Sequence, residues 1–259
     1  MKSSLRREVI AMLKKSGQNL NKKYGRIEAT HNKGRGPADV VTKLDVQTEK
    51  IYRARLKKIV PEIEFVGEET GGNRKAQNKW LCDPIDGTGH FIRGVPFCST
   101  MIALVEDGQV NFAAIYNFPN DDMYVAERGK GSFCNNKRIK VSNRDLDNAY
   151  FTYESKTNKK SNRLLLTKVN SKSGIIKTIS AGYEFSLVAS GKMDGRISVD
   201  PYGNDYDYAP GSLLVEEAGG VVANIGSKTY DYRNYDFLAT NKVVYKQLTQ
   251  GKNALFPIK

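Results

Sequence analysis

The chain has few of the residues that build covalent or metal–thiolate frameworks, with three cysteines and two histidines among 259 residues. Cys82, Cys98 and Cys134 are an odd number without CxxC spacing, which argues against a disulfide framework and against a structural zinc site. Isolated cysteines of this kind are typical of small buried side chains in a reducing compartment. We therefore expect a cytoplasmic protein.

Long hydrophobic runs are also lacking. No stretch approaches the roughly 20 consecutive apolar residues that a membrane-spanning helix needs, and no apolar segment of signal-peptide length follows the first basic residues. We expect no association with a membrane. Hydrophobic residues make up 39 % of the chain, which is low but sufficient for a packed core.

The charge of the chain is strongly uneven in sign. Lysine and arginine number 41 against 28 aspartates and glutamates, a formal excess of +13. Residues 1–35 carry ten basic residues against two acids, and residues 156–177 carry seven against none. Two interpretations stay open: the excess attracts phosphate groups of RNA or of small substrates, or it forms solvated faces that keep the protein soluble. We expect a modest, nonspecific attraction to anions, including weak binding of nucleic acid.

Hydrophobic periodicity indicates a run of strands between helices, followed by mixed helices and strands. A second helix ends before Pro61, because proline cannot continue a helix from within. This order predicts an α+β architecture of stacked layers. The predicted helices are 4–24, 159–169, 184–190 and one that begins at Asp207, and the predicted strands include 63–66, 79–83, 97–105, 109–116, 195–200, 221–225 and 237–239.

The strongest local signal is Asp83-Pro84-Ile85-Asp86-Gly87-Thr88, in which two carboxylates leave a strand within one tight turn. Pro84 cannot continue the hydrogen-bond ladder of an interior strand, and Gly87 permits close approach of the backbone. Such a turn can aim both carboxylates and one freed carbonyl at a single point. A hard divalent cation needs this kind of oxygen shell, and it would also remove the repulsion between the two aspartates.

Two further acidic groups lie next to regular elements: Glu68-Glu69 follows a short strand, and Asp205-Tyr206-Asp207 precedes a helix. Each has a plain structural alternative. Asp207 can serve as a helix N-cap, Glu68 can be a solvated loop residue, and Asp83 and Asp86 can be turn formers. Taken together, the three groups favour a site whose ligands come from separate segments of the chain.

These motifs closely resemble those of the inositol monophosphatase family. The resemblance rests on Val-Gly-Glu-Glu at 66–69, the aspartate motif at 83–88, and Asp-Tyr-Ala-Pro-Gly at 207–211 with Glu-Glu-Ala-Gly-Gly at 216–220. It implies a layered αβαβα sandwich of the inositol monophosphatase and fructose-1,6-bisphosphatase type. It also implies a Mg²⁺-dependent, lithium-sensitive phosphomonoesterase that forms a homodimer. Further matches extend the resemblance over most of the chain, at residues 37–45, 91–96, 129–133 and 238–241.

Matched position by position, the resemblance implies a set of metal ligands. Glu68, Asp83 and the carbonyl of Ile85 would hold one Mg²⁺, and Asp83, Asp86 and Asp207 would hold a second. It leaves open a third, weaker ion at Glu68. Two metals can neutralise a phosphate, acidify a water and stabilise the leaving oxygen, so the reaction needs no cysteine, serine or histidine nucleophile.

The resemblance also implies which groups carry the reaction. Thr88 would orient the attacking water through its hydroxyl, Asp45 would accept a hydrogen bond from Thr88, and Glu68 would complete the catalytic set. Asp45 has a structural alternative as the N-cap of the second helix. The backbone N–H groups of Gly87 and Thr88 would bind the phosphate. We expect His90 to be a turn residue rather than a catalytic one.

Departures from the family pattern fall at substrate-contacting positions. Asp200 stands where the family has a glutamate, one methylene longer, and Ile179-Ser180-Ala181 replaces a Gly-Ser/Thr-Ala run. By the resemblance, Asp200 and Ala181 would contact the substrate. Because the metal ligands are all retained, the chemistry is better defined than the substrate.

Other departures concern the surroundings of the ligands. Tyr206 replaces a tryptophan before the last ligand, and Pro210 stands where a small residue is usual. Proline is tolerated in a first helical turn, so we expect the helix to survive. Lys33 and Arg35 are both candidates for a lysine that the family carries in its first loop.

The absence of a linker rich in proline or serine predicts a single phosphatase domain over residues 1–259. A soft boundary falls near residues 142–149. It separates residues 1–145, an α+β half that would bind metal, from residues 146–259, an α/β half that would supply the last metal ligand and the substrate contacts.

The leading expectation is Mg²⁺-dependent hydrolysis of a small phosphate monoester, with inositol 1-phosphate as the first candidate. Fructose 1,6-bisphosphate and 3′-phosphoadenosine 5′-phosphate are rival substrates within the resemblance. A second function class is an RNA- or ribosome-associated accessory protein on the same scaffold, motivated by the net charge and by residues 156–177. No aromatic residues are interleaved with that basic run to stack on bases, which argues against it.

Overall fold

This computed structural model describes residues 1–34 and 40–258. Arg35 and the beginning of the matching segment 37–45 lie outside the described residues. No helix in the described ranges combines the length and the apolar character needed to cross a bilayer. The helices are α1 (Ser3–Asn21), α2 (Lys43–Ile59), α3 (Thr88–Arg93), α4 (Lys160–Asn170), α5 (Ala181–Ala189), α6 (Asp205–Glu217) and α7 (Lys242–Thr249).

The first half of the chain forms a largely antiparallel sheet with the strand order β3-β4-β5-β6-β7-β8-β9. Only its first pair, β3 and β4, is parallel among the strands described. A short antiparallel pair, β1 and β2, precedes it. The strands are β1 (His31–Asn32), β2 (Val40–Val41), β3 (Glu64–Gly67), β4 (Lys79–Asp86), β5 (Ser99–Glu106), β6 (Gln109–Asn117), β7 (Asp122–Glu127), β8 (Gly131–Cys134) and β9 (Lys137–Arg138).

The second half forms a mixed sheet with the order β11-β10-β12-β14-β13. Strand β10 runs parallel to both of its neighbours, β11 and β12, whereas β14 is antiparallel to β12 and β13. The parallel strands therefore end at the same edge of the sheet. The strands are β10 (Tyr150–Ser155), β11 (Gly174–Lys177), β12 (Gly195–Val199), β13 (Val221–Asn224) and β14 (Phe237–Thr240).

Alternation along the strands sorts apolar side chains into separate cores. On β5, Met101 and Ala103 belong to the core shared with α5, α6 and the second sheet, whereas Ile102 and Leu104 face the core shared with α1 and α2. A third core fills the space between the second sheet and helices α4 and α7. The order of layers is thus αβαβα, which confirms the expected fold class. The division into halves near residues 142–149 stays a prediction.

Several boundaries differ from the sequence prediction for local reasons. Helix α2 begins earlier than its apolar residues indicated, because Thr42 caps it and Asp45 closes a capping box by accepting from the Thr42 N–H at 2.8 Å. Asp45 is therefore the third residue of the helix and not its N-cap. Helix α6 survives Pro210 as expected, but the proline lies in the second turn and not the first.

Candidate active site

Strand β4 delivers the first two carboxylates. The sequence predicted a strand that turns at Asp83, and the structure instead continues the strand to Asp86 with a shift of register between the two residues. This irregularity reorients the strand so that Asp83 and Asp86, both buried, line the same cavity. Gly87 follows with φ 77°, and a Cβ there would strike the carbonyl of Phe97. Only glycine fits this turn.

Helix α5 holds the carboxylate of Asp86. The N–H groups of Ala181 and Gly182 donate to its two oxygens at 3.0 and 2.8 Å, and the Ser99 hydroxyl adds a bond of 3.0 Å. The free N–H groups of a first helical turn are suited to this role. Ala181, expected to contact substrate, lines the cavity through the same turn. Its role toward substrate stays a prediction.

Helix α6 brings the third carboxylate from the second half of the chain. Asp207 lies in the first turn of α6, where it accepts from the N–H of Asn204 at 2.5 Å. Asp83, Asp86 and Asp207 each offer an oxygen, and these atoms lie within 4.8 Å of one another. Tyr206, beside this ligand, is buried under the guanidinium of Arg74.

Burial raises the pKa values of all three aspartates. Burial raises the pKa of Asp83 well above its ordinary value, and Glu68, Asp86 and Asp207 raise it further. Burial likewise raises the pKa of Asp207 well above its ordinary value, with Glu68 as the next cause. Burial also raises the pKa of Asp86, although the bonds that it accepts oppose the change. Clustered buried carboxylates of this kind need a countercharge.

Glu68 lines the same cavity but is engaged by a lysine. Lys33 donates to Glu68 Oε1 at 2.7 Å and to Glu69 Oε1 at 2.6 Å. Burial alone would lower the pKa of Lys33, but the two carboxylates reverse this and hold it above its ordinary value. Burial raises the pKa of Glu69 to about 7. Lys33, one of the two candidates for the family's loop lysine, thus lies at the site.

A buried glutamate that the sequence did not single out supports this turn. Glu49 of α2 accepts from the N–H groups of Glu69 and Thr70 at 2.7 and 2.8 Å, and from the Thr70 hydroxyl. Arg53, one helical turn later, donates to the carbonyls of Phe65 and Gly71 at either end of the turn. The spacing of four residues between Glu49 and Arg53 was the signal in the sequence, because it places both side chains on one face of a helix. The sequence did not show that this face would contact the turn that carries Glu68.

Thr88 lies at the start of α3 between two acceptors. Its hydroxyl is 2.9 Å from Asp45 Oδ1 and 2.8 Å from the carbonyl of Ile85. One hydroxyl proton can serve only one of them at a time. Burial raises the pKa of Asp45, against the lowering effect of the bonds from Thr42 and Thr88. His90 contacts the carbonyl of Ile179 at 3.1 Å and is not among the described residues that line the cavity.

The cavity has a volume of about 440 Å³, within the range of small-molecule sites. Asp200, expected to contact substrate, is not among the described residues that line it. Its carboxylate instead forms ion pairs with Lys159 at 2.6 Å and Lys156 at 3.5 Å, and it accepts a hydrogen bond from Asn162 at 3.1 Å. The hydrogen bond from Lys159 is the main reason that the pKa of Asp200 is lowered. The sequence match carried no information about these partners.

Sequence reasoning missed a charged cluster at the wall, in which Arg196 and Glu154 line the cavity and Glu184 contacts Arg196. Arg196 is 1 % exposed and bridges Glu154 of β10 and Glu184 of α5. Its guanidinium lies near the rings of Phe185 and Tyr208, at 5.2 and 5.5 Å from their centroids. Glu154 also accepts a hydrogen bond from the Tyr208 hydroxyl at 3.0 Å, so its carboxylate is satisfied by donors within the protein. An isolated arginine on a strand gave no sequence signal for this cluster.

The donor set fits a hard divalent cation. All candidate side-chain ligands are carboxylates, no histidine or cysteine is among the described residues that line the cavity, and oxygen donors are what Mg²⁺ prefers. Burial raises the pKa values of three of these carboxylates, and neighbouring carboxylates raise those of Asp83 and Asp207 further, so a cation beside them would be stabilising. The fold and this cluster indicate the class: a layered α+β enzyme of the phosphoric monoester hydrolases, with an all-carboxylate cluster that could hold a metal ion.

Comparison with known proteins gives the family. The chain belongs to the inositol monophosphatase family, whose sequence model matches residues 1–256. It is 30 % identical to an inositol-1-monophosphatase of Mesorhizobium japonicum over 96 % of both chains. It is 29 % identical to a putative Nus factor SuhB of Neisseria meningitidis serogroup B, over 91 % of this chain and 92 % of that one. The IMPase structure of Thermotoga maritima superposes with a TM-score of 0.84 at 27 % identity, covering 94 % of each chain.

Proposed function

We propose that this enzyme uses Mg²⁺ to hydrolyse inositol monophosphates and related small phosphate monoesters. The observation that carries the proposal is the gathering of Asp83, Asp86 and Asp207 from two halves of the chain, with ligand oxygens within 4.8 Å of one another. Water attacks phosphorus, the bond from phosphorus to the ester oxygen breaks, and the products are an alcohol and inorganic phosphate.

The proposed ligands are Glu68, Asp83, Asp86, Asp207 and the carbonyl of Ile85. They would hold two Mg²⁺, with a third, weaker ion at Glu68 as the alternative. Bound Mg²⁺ supplies the positive charge that neutralises the phosphate and makes a water more acidic. All five residues line one cavity, which supports the assignment.

Thr88 and Asp45 would orient the attacking water. When the Ile85 carbonyl is engaged as a ligand, the Thr88 hydroxyl has Asp45 as its remaining acceptor, at 2.9 Å. The Thr88 oxygen would then present its lone pairs to the cavity and accept a hydrogen bond from the water. Gly87 and Thr88, which both line the cavity, are the proposed phosphate-binding pair.

The test is phosphate release from a panel of esters at saturating Mg²⁺. The panel comprises inositol 1-phosphate, fructose 1,6-bisphosphate and 3′-phosphoadenosine 5′-phosphate, with EDTA as the control. We expect Mg²⁺-dependent release that is highest for inositol 1-phosphate, together with inhibition by lithium. No release above the EDTA background from any ester would refute the proposal.

A second candidate function is association with RNA or with a transcription complex. It is favoured by the basic residues 156–177, of which Lys159, Lys160 and Arg163 surround the start of α4, and by the similarity to a putative Nus factor. Retention of RNA by the purified protein, lost at high salt, would support it. Neutralising those three residues should remove RNA binding and leave phosphate release intact.

We also propose that the enzyme is a cytoplasmic homodimer. Reduced, mostly buried cysteines support the compartment, since Cys82 and Cys98 are buried and all three cysteines are free. Light scattering of the purified protein measures the assembly, and a mass of one chain would refute the dimer.

A further inference from the structure

Two segments of the cavity wall are held through their backbone by buried glutamates. The first segment, residues 178–181, leads into helix α5, and Glu184 Oε1 accepts a hydrogen bond from the Ile179 N–H at 2.5 Å. The second segment, residues 202–203, follows β12, and Glu154 Oε1 accepts from both of its N–H groups at 2.9 and 3.2 Å. Each glutamate therefore fixes one part of the wall with one of its two oxygens.

The second oxygen of each glutamate binds the same arginine. Arg196 donates from Nη1 to Glu184 Oε2 and from Nη2 to Glu154 Oε2, and its side chain is 1 % exposed. A guanidinium carries its donors in a rigid planar fork, so it sets both the distance and the angle between two carboxylates. The single ammonium of a lysine cannot do this. One side chain thus joins the two wall segments.

Each wall segment leads to a proposed metal ligand. The first ends in the N–H groups of α5 that hold the carboxylate of Asp86. The second ends at Asn204, whose N–H donates to Asp207 at 2.5 Å. Asp86 and Asp207 come from different halves of the chain, and their ligand oxygens lie within 4.8 Å of each other. A displacement of either segment would change this separation.

We propose that Arg196 is a positioning residue for the metal centre. By holding both wall segments it fixes the separation of Asp86 and Asp207 at which the two carboxylates bind a cation together. Arg196 acts through its two glutamates and is not itself a ligand. This inference rests on the proposed phosphatase function and adds to it a residue that controls the affinity for Mg²⁺ from outside the ligand set.

Arg196→Lys tests the proposal, because it keeps the positive charge and removes the planar fork. We expect the dissociation constant for Mg²⁺, measured by calorimetry, to rise about tenfold, as is typical when a group that orients a metal ligand is lost. We also expect amide hydrogen exchange in the metal-free protein to become faster in both wall segments, since both lose their support.

Arg144→Gln is the matched control. Arg144 donates to the buried carboxylate of Asp194 at 2.8 Å, immediately before β12, but it is not among the described residues that line the cavity. This variant also removes an arginine from a buried carboxylate of the same sheet. It should leave the Mg²⁺ dissociation constant and the exchange of the two wall segments unchanged.

Glu184→Gln tests one connection by itself and keeps the proposal open to refutation if Arg196→Lys does not fold. Both oxygens of Glu184 accept hydrogen bonds from donors, so an amide NH₂ breaks the connection between Arg196 and residues 178–181. Exchange should become faster in residues 178–181 and stay slow in residues 202–203, which Glu154 still holds.

The outcomes separate this proposal from the phosphatase function. An unchanged Mg²⁺ dissociation constant in folded Arg196→Lys overturns the role of Arg196. An equal rise in Arg144→Gln also overturns it, because the effect would then be a general loss of stability. Unchanged exchange of residues 178–181 in Glu184→Gln overturns it as well. None of these measurements needs turnover, so they decide the role of Arg196 even if no ester is hydrolysed, which is the result that refutes the phosphatase function.

Discussion

Gly67 packs directly against the carboxylate of Glu49, and a Cβ at this position would collide with it. The contact lets one buried glutamate reach over the end of β3 and accept from two N–H groups of the turn that carries Glu68. The position of this proposed metal ligand is thus set by a residue nineteen positions earlier, on another element.

Glu49→Gln tests this support. Both glutamate oxygens accept hydrogen bonds, so an amide would point an NH₂ group at a backbone N–H and displace the turn. We expect the Mg²⁺ concentration for half-maximal activity to rise about tenfold, as is typical when a group that orients a metal ligand is lost. The measurement is phosphate release against Mg²⁺ concentration, backed by metal titration in a calorimeter.

Glu8→Gln is the matched control for this variant, since Glu8 is an exposed helical glutamate that forms an ion pair with Arg55. It should leave the Mg²⁺ dependence as it was. An unchanged half-maximal concentration in Glu49→Gln would show that the turn holds its shape without the buried carboxylate.

Asp83→Asn should abolish turnover and weaken Mg²⁺ binding without unfolding the protein. The buried carboxylate is proposed to serve both metal ions, and its neutral replacement relieves repulsion within the cluster. Phosphate release, metal titration and the thermal midpoint in EDTA give the three readouts. The exposed Asp147 offers the control, as Asp147→Asn should match the parent in all three. Full activity in Asp83→Asn would remove it from the site.

Thr88→Val should lower kcat at least about 100-fold, whereas Thr88→Ser should stay within a few-fold of the parent. Valine keeps the shape but removes the hydroxyl that contacts Asp45, and serine keeps that hydroxyl. Initial rates at saturating Mg²⁺ and substrate compare the two. Near-parental activity of the valine variant would mean that the water is oriented by other groups.

The stability of the metal-free protein should fall with rising pH, and Mg²⁺ should offset that fall. Burial raises the pKa values of Asp83, Asp86 and Asp207, so between their unfolded and folded pKa values the folded state holds more protons. The free energy of unfolding of the metal-free protein therefore falls as the pH rises through that window, and the loss is absent below the unfolded pKa. Mg²⁺ binds the ionised carboxylates and offsets this loss.

Thermal midpoints in EDTA and in Mg²⁺, from about pH 5 to about pH 8, measure the effect. The gap between the two series should widen with increasing pH, and calorimetry should detect protons released when Mg²⁺ binds. Asp83→Asn should narrow the difference between the thermal midpoints in EDTA and in Mg²⁺. A gap that is constant over this range would show that the cluster is already ionised without metal.

The parts of the molecule that follow from short-range patterns were predictable from the sequence. The layered architecture, the apolar stripe of α1 and the aspartate motif all rest on residues close together in the chain. The position of Asp200 away from the cavity could not be predicted, because its carboxylate contacts Lys159 and Asn162, which come from a different segment of the chain. The buried cluster around Arg196 could not be predicted from the sequence for the same reason. Its partners lie on β10 and α5, and only the sheet order brings them together.

The way Arg196 is buried has a consequence for how the protein reaches its native state. An arginine placed among aromatic rings is strongly unfavourable until both of its carboxylate partners are present. We therefore expect strands β10 and β12 and helix α5 to dock cooperatively, because any two of them without the third would leave a buried charge unpaired. Since Glu154 also holds the loop that leads to Asp207, we expect that loop to become ordered only when this cluster is complete.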